Sequence, residues 1–238
     1  MKQFKNLVVS GCSFSAGSSD SDIHYASDNP HTWSHFLLPK INPKTFVNLA
    51  IPAGGNIASG HNIVYLLETN KCFTASDTLV LFNITGLDRL DTMCYDDHSS
   101  ATPYFQWNKE FGFGWLTEGT FCSAGPFTPF KGMLQKNIGL PQIITLNSLA
   151  IVNTITYLEA NNFQYAFMLM DQKIKWDSPD FLKKFLDNRS AHSVTFNGIS
   201  NMHEYCKQNC LLKNDQFHPN QEGHSAIADF VYQHIDKL

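Results

Sequence analysis

The stretch Asp-Thr-Leu-Val-Leu-Phe-Asn-Ile-Thr, positions 77–85, constrains this chain more than any other. Its centre is apolar at consecutive positions, so an extended chain would be apolar on both faces. A half-buried strand alternates; a strand without alternation is covered on both sides, as in a parallel sheet layered by helices. Three more short apolar runs, at 4–9, 44–51 and 163–170, read the same way.

Between these runs the period changes to that of a helix. Positions 58–70 carry Ile63, Leu66 and Leu67. Positions 141–162 open on Pro141 and repeat Ile144, Leu149, Val152, Ile155 and Leu158, with proline suited to a first turn. Positions 178–189 start with Ser-Pro, the pattern of an N-cap followed by a first helical proline. Positions 201–209 predict a short helix, and 220–238 a final one with Ile227, Phe230, Val231 and Ile235 on one side. Strands alternating with helices predict an α/β fold with a mostly parallel sheet. At 238 residues one domain is expected. The exception is about 91–139, rich in Gly, Pro, Thr and aromatics and without clear period, which reads as a long insertion over one end of the sheet.

The net charge of −4 advertises no basic face, so nucleic acid is not an expected partner. No stretch reads as a membrane span, and Lys2 and Lys5 precede too short an apolar run for a secretory signal. The six cysteines, at 12, 72, 94, 122, 206 and 210, are scattered as reduced thiols would be. The expectation is a soluble protein.

The first strand run stops at Gly11 and is followed by Cys12, Ser13, Phe14 and Ser15. Ligands of open α/β sheets bind at the carboxyl ends of strands, where backbone N–H groups stabilise negative charge. A serine there is placed as a nucleophile, and it needs a base and an orienting carboxylate. Asp215 and His218 supply both, three residues apart in Asp-Gln-Phe-His-Pro, on a turn that Pro219 keeps irregular. Alone, Ser13 reads equally as a turn or N-cap residue; with Asp215 and His218 the reading is a Ser-His-Asp set.

Gly-Cys-Ser-Phe-Ser after the first strand, together with Asp-Gln-Phe-His-Pro-Asn-Gln-Glu-Gly-His before the last helix, resembles the SGNH/GDSL hydrolases. The resemblance implies a flavodoxin-like, three-layer α/β/α sandwich that cleaves acyl or acetyl esters through an acyl-enzyme without a cofactor. It implies Ser13 as nucleophile, His218 as base and Asp215 as its orienter. The substrate implied is a small-molecule or glycan ester, including an O-acetylated glycan. The Gly-Cys-Ser-Phe-Ser-Ala-Gly stretch is similar to phage and marine bacterial proteins, so cytoplasmic and virion-associated locations both stand. The alternatives are a glycan- or protein-binding module on the same fold and an O-acyltransferase.

The chain departs from the family pattern at the oxyanion hole. In Asn-Leu-Ala-Ile-Pro-Ala-Gly-Gly-Asn the family's glycine falls on Ala53, with Gly54 adjacent, and either N–H qualifies as a donor. In Phe-Asn-Ile-Thr-Gly-Leu-Asp-Arg the family's asparagine falls nearest Thr85, with Asn83 two residues earlier. Cys12 stands where the family carries Asp.

Other residues divide between chemistry and packing. Ser15 reads as a cap of the first helix, Cys12 as facing the sheet and His224 as packing in the last helix. His203, Cys206 and Cys210 share helical spacing but lack a fourth zinc ligand, so packing is favoured and no metal is expected. Arg89 reads as the partner of Asp88 or Asp91, or as a contact for an anionic substrate. Trp107, Phe111, Phe113 and Trp115 read as satellite core or as the lining of a sugar or acyl site.

Overall fold

The computed structural model describes residues 3–16, 31–95, 105–108, 112–120, 138–171 and 178–238. Four parallel strands form the main sheet: β1 (Asn6–Ser10), β2 (Thr45–Asn48), β3 (Thr78–Ile84) and β7 (Gln164–Leu169), in the order β2-β1-β3-β7. β1 and β3 are buried along their whole length, as their unbroken apolar runs require. Beyond β7 the sheet continues only as isolated parallel bridges, Phe167 with Ser193 and Leu169 with Asn201.

Among the described residues seven α-helices accompany the sheet: α1 (Ser13–Ala16), α2 (Trp33–Ile41), α3 (Asn56–Thr69), α4 (Leu140–Ala160), α5 (Asp180–Asp187), α6 (Met202–Gln208) and α7 (Gln221–Ile235). Parallel crossovers are right-handed. The chain steps one way from β1 to β2 through α2, then the other way to β3 through α3 and to β7 through α4. That reversal puts α2 on one face and α3 and α4 on the other. The packing agrees: α3 lies against α4, and α2 against α7. The result is a three-layer α/β/α sandwich, and its switch point lies between β1 and β3, where ligand crevices open.

Three helices differ from the sequence reading or are absent from it. α2 lacks a sequence signal because Pro39 lies inside it; the helix still runs to Ile41 and ends at Asn42 in the left-handed region, whose N–H bonds Leu38 O. α5 begins at Asp180 with Pro179 in the N-cap position, so Ser178 is not its cap. α4 buries most of the stripe that periodicity suggests, but shifted: Ile155 and Leu158 are buried and Ile144 and Val152 pack at its margin, while Leu149 is 44% exposed and Ile143, Asn147 and Ile151 are buried as well. α4, at 21 residues, is also long and apolar enough by composition to cross a membrane, contrary to expectation, although its inward stripe packs on α3 and the main core.

Where it is described, the aromatic-rich stretch forms strands. β4 (Arg89–Cys94), β5 (Phe105–Asn108) and β6 (Phe113–Thr120) form a separate antiparallel sheet in the order β4-β6-β5. Phe113 and Trp115, two apart on one face of β6, pack with Ile51 and Ala58, and Trp115 Nε1 donates to Asn62 of α3 at 2.9 Å. They are satellite core. The side chain of Trp107, and Phe111 altogether, lie outside the described residues. Cys12, Cys72, Cys206 and Cys210 are free thiols; Cys122 lies outside the described residues.

The last turn of α4 is tied to its surroundings by Glu159. Arg189 Nε and Nη2 donate to its two oxygens at 2.8 Å each, and the Tyr165 hydroxyl donates to Oε1 at 2.8 Å. The Arg189 hydrogen bonds hold the Glu159 carboxyl below its ordinary value. A depressed acid stabilises the fold above the unfolded carboxylate value and loses that contribution as pH falls through the folded value. Glu159→Gln is therefore expected to lower Tm by about 2–4 °C at pH 7. The gap from wild type should close below pH 4 in thermal melts.

Candidate active site

The site starts at the end of β1. Gly11 has φ 150°, and a Cβ there would lie 2.7 Å from Asn83 Cβ, so only glycine lets β1 turn sharply beside β3. The chain then enters the short α1, led by Ser13. The register pairs Ser10 with Phe82, so three further residues carry the two chains to Ser13 and Thr85. On the other side the pairing of Val9 with Asn48 is prolonged by Ile51 N–H to Gly11 O, which brings the 51–54 loop beside the same turn.

His218 arrives from the far end of the chain. Its Nε2 lies 2.9 Å from Ser13 Oγ, and its Nδ1 lies 2.6 Å from Asp215 Oδ2. A carboxylate only accepts, so Nδ1 carries the proton and Nε2 is left to accept from the serine hydroxyl. Asp215 also shapes the turn that bears the histidine, because its Oδ1 accepts the N–H groups of Phe217 and His218 at 2.8 and 2.9 Å. Burial raises the Asp215 carboxyl, but the His218 ring bond and these N–H bonds outweigh it, and the group lies below its ordinary value. The imidazole is held between Phe14 and Phe217, with ring centroids at 5.4 and 5.3 Å.

The Gly-His pair after Pro219 is structural. A Cβ on Gly223 would lie 2.7 Å from Leu211 O, so glycine lets α7 start against the 211 segment, while Asn220 caps its Gly223 N–H. His224 Nδ1 accepts the Trp33 N–H and ties α7 to α2; burial pushes its imidazole down to about 3, so it stays neutral.

The four candidate donors for negative charge differ in what already holds them. Gly54 N–H bonds Ile51 O at 2.8 Å, closing a four-residue turn with Pro52 and Ala53 at its centre. The Ala53 N–H has no acceptor among the described residues. Ala53 holds φ 58°, the left-handed region that glycine adopts most readily. Alanine costs about 1–2 kcal/mol in that region. After the entropy of a more flexible unfolded chain, Ala53→Gly is expected to stabilise the fold by about 0.5–1 kcal/mol in urea titration. At the end of β3, Asn83 Nδ2 is engaged by Ser15 Oγ at 3.1 Å. The Thr85 hydroxyl is buried without a partner among the described residues, while Asn56 grips the Thr85 N–H and C=O at 2.9 and 3.1 Å.

Among the described residues the Gly54 N–H and Asn83 Nδ2 are thus already engaged, whereas the Ala53 N–H and the Thr85 hydroxyl are not. Arg89 is 7% exposed, and its Nη1 donates to Gly54 O at 2.8 Å, so it holds the protein's own loop rather than facing a substrate. Ser15 is not a helix cap: its hydroxyl also accepts from Trp33 Nε1, and its carbonyl accepts from Asn48, which makes it a junction beneath Ser13. Cys12 is fully buried against Met170, with 3.3 Å between sulfurs, as its sheet-facing reading expects. Cys210 lies beyond the end of α6, so it does not share a helix face with His203 and Cys206.

Two residues without a chemical signal of their own complete the frame. α3 starts at Gly55 with no side-chain cap and no acid in its first turn. Its anion comes from β4: Asp91 accepts from Gly55 N–H at 2.8 Å and Ala58 N–H at 2.9 Å. Asn147 of α4 accepts Asn56 N–H at 3.0 Å and donates to Arg89 O at 2.7 Å. A helix start lacking its own cap is the sequence clue that a distant residue must serve.

Neither a family model nor a curated protein matches this sequence. Solved structures do. A member of the lipolytic protein G-D-S-L family from Veillonella parvula aligns with 98% of this chain and 99% of its own, at 13% identity and TM-score 0.51. A catalytic mutant of Axe2, an acetylxylan esterase from Geobacillus stearothermophilus, aligns with 99% of this chain and 96% of its own, at 13% identity and TM-score 0.50. The chain has the fold of these proteins, as the resemblance at its two ends implies.

Proposed function

We propose that the protein is a serine hydrolase of carboxylic esters, of the SGNH/GDSL kind. One observation carries the reading: the unbroken hydrogen-bond line from Asp215 through His218 to Ser13, at 2.6 and 2.9 Å, at the switch point of an α/β sheet. His218 Nε2 takes the Ser13 proton as Oγ attacks the acyl carbon. The tetrahedral oxyanion accepts hydrogen bonds from the N–H groups of Ser13 and Ala53 and from the Thr85 hydroxyl. His218 then protonates the leaving alkoxide, which departs as the alcohol. Water attacks the acyl-enzyme by the same path, releasing the acid and restoring Ser13. Asp215 holds the imidazole in its Nδ1–H tautomer throughout. No metal or organic cofactor enters these steps.

The substrate class is a short acyl ester, and an O-acetylated glycan is the form favoured. Support comes from the acetylxylan esterase whose fold the chain shares at TM-score 0.50. The test is mass spectrometry after a fluorophosphonate probe, beside turnover of p-nitrophenyl acetate and an acetylated xylan. Labelling at Ser13 with acetate release is expected. A folded protein that neither takes the probe nor releases acetate overturns the reading in favour of a binding module.

A further inference from the structure

We propose that Asp91 and Arg89 are positioning residues that hold the Ala53 N–H at the oxyanion, so that the small antiparallel sheet sets the geometry of the main-sheet site. The inference rests on the esterase reading. It begins with a contradiction in the 51–56 loop: the donor sits on an alanine at φ 58°, a conformation that alanine leaves unless its neighbours prevent it. The turn itself has one internal hydrogen bond, Gly54 N–H to Ile51 O. The hydrogen bonds that hold the backbone groups of Gly54, Gly55, Asn56 and Ala58 from outside the loop come from β4 and from the asparagine bound to it, and the Asn56 side chain adds a clasp on Thr85 at the end of β3.

Arg89 and Asp91 are two apart on β4 and so share one face. Arg89 Nη1 fixes the Gly54 carbonyl at 2.8 Å. Asp91 Oδ1 fixes the Gly55 N–H at 2.8 Å, and Oδ2 fixes the Ala58 N–H at 2.9 Å. Asn147, anchored on Arg89 O, takes the Asn56 N–H. Gly54, Gly55, Asn56 and Ala58 are thus held within one network. The fit is close: a Cβ on Gly55 would lie 2.7 Å from Asp91 Oδ2 and 3.0 Å from Arg89 Cβ. Both side chains are nearly closed to solvent, at 8% and 7% exposure, so water does not replace them.

The oxyanion develops only in the transition state, so a misplaced donor lowers kcat and spares substrate binding. Asp91→Asn keeps one acceptor and turns an amide N–H toward a backbone N–H. It is expected to lower kcat for p-nitrophenyl acetate by about 10–100-fold, with KM changed less than about threefold. Arg89→Met frees the Gly54 carbonyl by a different route and is expected to lower kcat in the same way. Adding Ala53→Gly to Asp91→Asn is expected to recover at least about threefold of the lost kcat, because glycine at position 53 has no strain to relieve by moving away. General loosening of the fold would not be rescued there.

Circular dichroism melts establish that each variant is folded at the assay temperature. Should Asp91→Asn not fold, Arg89→Met with and without Ala53→Gly decides. Wild-type turnover with kcat within twofold in both single variants overturns the positioning role and leaves the esterase reading intact. A kcat loss without rescue by Ala53→Gly also overturns it. A wild-type protein with no ester turnover and no fluorophosphonate label at Ser13 removes the esterase reading, and the positioning role with it.

Discussion

Ser13→Ala is expected to lower kcat for p-nitrophenyl acetate by about 10⁴-fold or more while leaving the fold intact. The size of the loss follows from the chemistry: without Oγ no acyl-enzyme forms, and only the oxyanion donors remain to assist attack by water. The fold should survive because the Ser13 hydroxyl bonds only His218 among the described residues, and the side chain packs on no apolar neighbour that alanine would abandon. Tm should stay within about 2 °C of wild type. Steady-state kinetics on highly purified variant, with the melt beside it, checks both halves. Residual turnover within tenfold of wild type would show that Ser13 is not the nucleophile, and Cys12 would not inherit the role, being fully buried against Met170.

Asp215→Asn should cost nearly as much, about 10⁴-fold in kcat, for a different reason. The asparagine oxygen can keep accepting the N–H groups of Phe217 and His218, so the turn persists. Its amide N–H then faces His218 Nδ1, which must accept. The ring proton moves to Nε2, and the Ser13 hydroxyl loses its base. KM should be little changed, because the substrate's contacts are not altered. A tenfold or smaller fall in kcat would mean that Asp215 serves the turn and not the proton transfer.

The parts of the fold legible in the sequence are those whose cause is local. The apolar runs of β1, β3 and β7 report burial on both faces without reference to any partner. Asp215, His218 and Pro219 lie within five residues, and their spacing states a turn. α2 is hidden because Pro39 reads as a break, whereas the helix tolerates it near its end and stops at Asn42. The inward face of α4 misleads because polar residues, Asn147, Ser148 and Thr154, are buried on it: Asn147 satisfies backbone groups at the start of α3 and on β4, while Leu149 points outward. Which of the Ala53 and Gly54 N–H groups stays open depends on which one a turn consumes, and the Gly54 N–H is taken by Ile51 O. The cap of α3 is invisible because it is borrowed from Asp91, 36 residues beyond Gly55.

The hydrogen bond between Ser13 and His218 joins residues 205 positions apart. During synthesis Ser13 leaves the ribosome early, and His218 follows only after every strand of the main sheet has been made. On the proposed reading, a fragment cut short of the turn before α7 carries a serine with no means of activation. Turnover then requires that turn to dock beside the end of β1. Recovery of turnover during refolding should follow docking of the last helix and lag behind formation of the sheet.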